Sequence, residues 1–173
     1  RKVGYFGHLT ASWFDWESLI EIAKLRPKYQ FEIIGHSAPE DLKLPNNIDL
    51  MGPKSHPEIN KIAAEWNVAI IPFKTGLLAD AVDPIKIYEY MALDLPTVSF
   101  RMPQIDDYPY TLTVDNVEEF CFALDEYIKY RPKKGVLKKW LADNQWGDRV
   151  DEFLRLSKIP RKDGIADLGG GNS

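Results

Sequence analysis

Much of what could staple, anchor or metallate a protein is scarce in this chain. Cysteine occurs once in 173 residues, at Cys121, which excludes an internal disulfide and a stapled secreted scaffold and leaves a reducing, cytoplasmic setting as the expectation. Its surroundings, EEFCFALDEY, read as a helix face on which the thiol serves as a small core hydrophobe rather than a nucleophile. The three histidines, His8, His36 and His56, have no spacing of the His-x3-His kind with a third ligand, so no metal is expected. No uninterrupted apolar run approaches about 18 residues and no basic segment leads into an apolar stretch, which leaves neither a membrane-spanning helix nor a secretory signal in view. Charge of neither sign dominates. Lys and Arg number 22 against 26 Asp and Glu, a net of −4, so no global basic field exists to hold a nucleic acid or an anionic membrane. A local anion site remains allowed.

Motifs are missing too. There is no Gly-x-x-x-x-Gly-Lys-Ser/Thr phosphate loop and no Gly-x-Ser-x-Gly elbow, which removes nucleoside triphosphatases of that type and α/β-hydrolases. Gly-x-Gly-x-x-Gly does not follow the first apolar run, so a nicotinamide cofactor is not expected. Arg1-Lys2 enters directly on VGYF without methionine; the expectation is a piece of a longer chain.

What is there is a soluble-protein composition, 45 % hydrophobic and 28 % charged, enough to bury a core in one domain and too short for two. Short apolar runs alternate with segments of helical period, the pattern of a mostly parallel sheet covered by helices. Strands are expected at Lys2 to Phe6, Phe31 to Ile34 and Ile48 to Met51, closed by Gly7, Gly35 and Gly52. Further strands are expected at Val68 to Ile71, Thr97 to Phe100 and Thr111 to Val114. Helical periods cover Phe14 to Leu25, Pro57 to Trp66, Ile85 to Ala92, Val117 to Tyr130, Val136 to Ala142 and Trp146 to Ser157. Residues 1–157 would form the domain and residues 158–173, rich in glycine and charge, a flexible tail. In such sheets ligands bind outside the carboxyl ends of the strands where strand order reverses, which directs attention to the loops after Phe6, Ile34, Met51, Ile71 and Phe100.

The most informative stretch is DPIKIYEYMALDLPTVS, Asp83 to Ser99. Pro84 suits the first turn of a helix. The amides of Ile85, Lys86 and Ile87 would then point out of a helix N-terminus toward an anion, and Lys86 adds a full positive charge. Glu89 shares the Lys86 face at i, i+3, placed either to accept hydrogen bonds from vicinal sugar hydroxyls or to make a salt bridge of under about 1 kcal/mol. Trp13, Phe14 and Trp16 beside a helix start read as core aromatics, and Asp106 and Asp107 as a solvated loop.

KIYEYMALDLPTVS resembles the K-x-x-E-[YA]-[ML]-A-x-G-x-P-V-[VI]-S segment of retaining GT-B glycosyltransferases of the glycosyl transferases group 1 type. VGYFG, FEIIG, NIDLMGPKSHPEINKIAAEWNVAIIPF and NQWGDRVDEFL are similar to further elements of that family's carboxy-terminal, donor-binding half, in the same order from Val3 to Leu156. The resemblance implies a Rossmann-like three-layer domain that holds a nucleoside-diphosphate sugar as substrate, with no cofactor. It implies that Glu89 takes the ribose hydroxyls, that Pro84, Ile85 and Lys86 face the diphosphate and sugar, that Gly7 and His8 approach the phosphates, and that Gly52, Pro53 and Lys54 receive the base. The first glutamate of the family's Glu-x7-Glu pattern falls at Ala81 and is absent, Asp94 stands in place of the usual glycine, and no catalytic residue is assigned. The implied partner is an amino-terminal acceptor domain of the same enzyme, through which any membrane contact would be made, and this piece alone is expected to be inactive. Two alternatives stand beside this reading: a flavodoxin-like regulatory or interaction domain without catalysis, and half of a sugar-nucleotide epimerase.

Overall fold

The computed structural model describes residues 1–76 and 85–144. Along them run β1 (Lys2–His8), α1 (Trp16–Leu25), β2 (Gln30–His36), β3 (Ile48–Gly52), α2 (His56–Ala63), β4 (Val68–Ile71), α3 (Ile85–Ala92), β5 (Thr97–Phe100), β6 (Thr111–Val114), α4 (Val117–Tyr127) and α5 (Val136–Asp143), with a 3-10 turn at Pro103–Ile105. The expected helix at 146–157, the tail at 158–173, Pro84 and Ala81 lie outside the described residues.

All six strands are parallel, in the order β3-β2-β1-β4-β5-β6. Alternation along each strand divides the core into two layers. Val3, Tyr5, Phe31, Ile33, Val68, Ile70, Val98 and Phe100 face α1 and α4. On the other face, Phe6, Ile34, Ala69 and Ile71 meet α2, α3 and α5. This is the three-layer, Rossmann-like α/β architecture expected, and the order 3-2-1-4-5-6 is that of the doubly wound dinucleotide-binding sheet rather than the 2-1-3-4-5 order of flavodoxin. Cys121 is 2 % exposed within the α4 layer, a core position as expected, and burial pushes its thiol pKa up.

Local chemistry sets the ends of the elements. Helix α1 starts at Trp16 rather than Phe14: Asp15 caps it, accepting from the Ser18 amide at 3.0 Å and the Ser18 hydroxyl at 2.7 Å, while Phe14 is drawn into an antiparallel bridge with Phe73. Ser55 and Glu58 form a capping box on α2. That helix ends at Ala63, short of Trp66, because the amides of Glu65 and Trp66 bond three residues back, to Ile62 and Ala63, in a tighter turn. Helix α4 likewise stops at Tyr127 instead of Tyr130, with Asn116 as its N-cap. The largest departure lies in β1 and β2, which continue past Gly7 and Gly35 to His8 and His36. Gly7 and Gly35 sit opposite each other at φ of 147° and 154°, and a Cβ on Gly35 would run into the Gly7 carbonyl. The glycines therefore do not close the strands; they let the last two rungs form.

Candidate functional site

Strand order reverses between β1 and β4, so the sheet itself nominates their carboxyl ends as the ligand crevice. The two strands pair only through Val3 with Val68 and Gly4 with Ala69, whereas β1 and β2 pair over seven residues. Into the opening beyond the β1–β4 rungs α3 inserts Tyr90, fully buried, whose hydroxyl donates to the Ile70 carbonyl at 3.0 Å. The phenol thus satisfies an acceptor of β4 where the ladder has parted. Burial, helped by Tyr5 and Glu89, raises its pKa well above the ordinary phenol value, so it stays a neutral hydrogen-bonding group.

Lys86 and Glu89 lie directly over this floor. The Lys86 ammonium donates to Glu89 Oε2 at 3.1 Å, their side chains only 22 % and 15 % exposed, and sits 4.6 Å above the centre of the Phe6 ring. The lysine stem crosses Gly7: a Cβ there would come within 2.5 Å of Lys86 Cε and 2.8 Å of the Tyr5 hydroxyl. That hydroxyl donates to the His8 carbonyl at 2.9 Å, and burial, with Glu89 adding to it, pushes its pKa up. Of the residues singled out by sequence, Gly7, His8, Lys86 and Glu89 come together here, and Ile85 opens α3 beside them, 56 % exposed. Pro84 is outside the described residues.

Gly52 ends β3, the edge strand two strands away from β1, and Pro53 and Lys54 follow it. They share the carboxyl edge with Lys86 but not its immediate surroundings, the lateral separation being two strand spacings, about 10 Å. Gly52 takes a left-handed φ of 72° with open space where a Cβ would stand, and Pro53 and Lys54 are exposed. Of the aromatics, Phe14 and Trp16 are core as expected, at 0 % and 5 % exposure, whereas Trp13 is 36 % exposed. The Trp16 indole donates to the Leu9 carbonyl at 2.8 Å, fixing the segment between β1 and α1. Asp106 is more engaged than a solvated loop implies: it accepts from the Thr113 hydroxyl at 2.6 Å and pairs with Arg101 at 3.5 Å.

Compared with family models and with curated proteins, the chain matches none. The site therefore rests on its own geometry.

That geometry adds residues which sequence reasoning did not assign to the site. His36 stands in register with His8 across β1 and β2, the two rings in a T-shaped contact with centroids 4.3 Å apart, and its Nδ1 is 3.0 Å from the Ser37 hydroxyl. A signal was present, since YFGH and EIIGH close both strands with Gly-His. Tyr5 and Tyr90 carried no such signal; the Tyr5 hydroxyl bonds back to its own strand at His8 and the Tyr90 hydroxyl to β4 at Ile70, neither marked by the residue pattern. Among the described residues, no group of three or more His, Cys, Asp or Glu is gathered that could hold a metal ion, and no helix is long and apolar enough to cross a membrane. Chemically, the described residues of the crevice offer Lys86, Glu89, the imidazoles of His8 and His36 and the helix start at Ile85, a set suited to binding a phosphorylated, hydroxyl-bearing ligand.

Proposed function

We propose that this domain binds a nucleoside-diphosphate sugar across the carboxyl edge of its sheet and is the donor half of a retaining glycosyltransferase of the GT-B kind. The observation that carries the reading is the Lys86–Glu89 pair, mostly buried over Gly7 and Phe6 at the point of strand-order reversal. A surface salt bridge has no need of such a place; a cation and a carboxylate beside a helix start at the switch point match a diphosphate next to a ribose.

In this reading Lys86 releases Glu89 when the donor arrives and turns to the diphosphate. Glu89 then accepts the ribose hydroxyls. The diphosphate leaves with growing negative charge, so Lys86 and the α3 dipole stabilise the transition state more than the ground state. Gly52, Pro53 and Lys54, about 10 Å along the edge, are within the span of a nucleoside diphosphate and would receive the base. The acceptor would be bound by another domain facing the same edge.

The strand order, together with the placement of Lys86 and Glu89, favours this over a flavodoxin-like interaction module. Calorimetric titration with UDP, GDP and their sugars tests it. One of these ligands is expected to bind, and Lys86→Met or Glu89→Ala to weaken it by roughly tenfold or more, the value of a lost charged hydrogen bond. Failure of all four ligand types to bind the wild-type chain, with variants indistinguishable from it, sinks the proposal.

A further inference from the structure

Positive charge is distributed very unevenly over the fold. Between Lys129 and Lys139 there are six cations and no acid, Lys129, Arg131, Lys133, Lys134, Lys138 and Lys139, in a chain of net charge −4. The segment links α4 to α5 and borders a cleft of about 590 Å³ whose lining includes Lys61, Arg131, Lys134, Lys138 and Asp94. The cleft lies at the carboxyl ends of α2 and α3, hence at the edge where β4 and β5 begin, opposite the Lys86 crevice.

The cations are held by a fixed backbone. Arg131 donates to the Ala64 and Trp66 carbonyls at 3.2 and 2.9 Å, closing the end of α2. Asp94, in a left-handed conformation at φ 54°, accepts the Gly135 amide at 2.9 Å and so ties the start of α5 to the end of α3. None of Lys61, Arg131, Lys134 and Lys138 is ion-paired among the described residues. Two helix carboxyl ends supply about one negative charge in partial charges. Four cations, less the Asp94 carboxylate and that contribution, leave a surplus of about two positive charges. This matches one dianionic phosphate group, and the cleft is within the size of small-ligand sites.

We infer that this cleft is a second, separate anion site that takes a phosphate-bearing ligand, either a free phosphate ester or the headgroup of an anionic lipid. The inference does not depend on the function proposed for the opposite edge.

The test titrates the whole chain with inorganic phosphate and glycerol 3-phosphate by calorimetry, and measures co-sedimentation with phosphatidic acid vesicles diluted in phosphatidylcholine. Binding to at least one probe is expected, and in the Lys86→Met background, where the opposite crevice no longer contributes, it is weakened about twenty-fivefold by adding Lys134→Gln/Lys138→Gln, at about fivefold per cation near an anionic group. Lys61→Gln/Lys134→Gln, whose exposed side chains lie on α2 and in the connection before α5, serves as the second variant should the first melt early. Binding to glycerol 3-phosphate supports a free ligand; binding to vesicles alone supports a lipid headgroup. No binding to any probe, binding untouched by both double variants, binding lost in Lys86→Met instead, or preference for a single-stranded oligonucleotide over every phosphate probe would each overturn it.

Discussion

Gly7→Ala is the substitution through which fold and site can be tested together. The φ of 147° at this position lies in a region that side chains rarely adopt, at a cost of about 1–3 kcal/mol. A Cβ would meet Lys86 Cε at 2.5 Å and the Tyr5 hydroxyl at 2.8 Å, against an ordinary contact of roughly 3.5–4 Å. The lysine can yield, because its stem is flexible, but it yields away from Glu89 and the Phe6 ring. Tyr5 is 1 % exposed and its hydroxyl holds the His8 carbonyl; moving it forfeits a hydrogen bond of about 1 kcal/mol. The sum is about 2–4 kcal/mol, or a fall in Tm of roughly 4–16 °C for a chain of this size. Urea titration and thermal melting measure it, and calorimetry with the nucleotide-sugar ligand proposed above should show affinity falling by about tenfold or more as Lys86 is displaced. In a Tyr5→Phe background the alanine should cost about 1 kcal/mol less, since no hydroxyl remains to collide. An alanine variant within about 0.5 kcal/mol of wild type and with unchanged affinity would refute the account of how Gly7, Tyr5 and Lys86 share this space.

Tyr90→Phe leaves the buried Ile70 carbonyl without its phenol, and urea unfolding should show a loss of about 1–3 kcal/mol. Asp125 accepts from Arg26 at 2.8 and 2.7 Å and from the Tyr29 hydroxyl at 2.7 Å, and the Arg26 hydrogen bonds hold its carboxyl below the ordinary value of 3.8. A lowered folded pKa means stability that is present above that ordinary value and is lost as pH falls through the folded one; the acid arm of stability against pH should be shallower there in Asp125→Asn. Cys121 should react with a thiol reagent only as fast as the domain opens, because burial both shields the thiol and disfavours its thiolate; reaction at the rate of a free thiol in the native protein would contradict the packing of α4.

The legibility of the fold came from two periods. Fully apolar runs such as VAII and TVSF mark β4 and β5 because strands buried on both faces need no alternation, and the helical faces of α1 and α4 repeat as amphipathic packing requires. Element ends were less legible where a long-range contact set them, as with Phe14 bridged to Phe73 or the glycine pair that lengthens β1 and β2. Within the site, Lys86 and Glu89 could be read because both lie on one helix turn, and Gly7 and His8 because they follow an apolar run. Glu32 could not. It is 7 % exposed on the helix-covered face of β2, where Trp66 donates to it at 2.8 Å and Lys2 pairs with it at 2.8 Å, partners 34 and 30 positions away.

The amino-acid sequence by itself determined the class of fold, the alternation of strands and helices, the core role of Cys121 and the local offer of a cation and a carboxylate on α3. These follow from near neighbours, since periodicity, capping and turn chemistry act over a few residues. Only the tertiary structure decided that the order is β3-β2-β1-β4-β5-β6, that Lys86 lies over Gly7, that His8 meets His36, and that the basic segment closes on the ends of α2 and α3. Each of these is a contact between segments far apart in the chain, selected by how the two sheet faces bury their apolar side chains together, and no local pattern encodes such a choice.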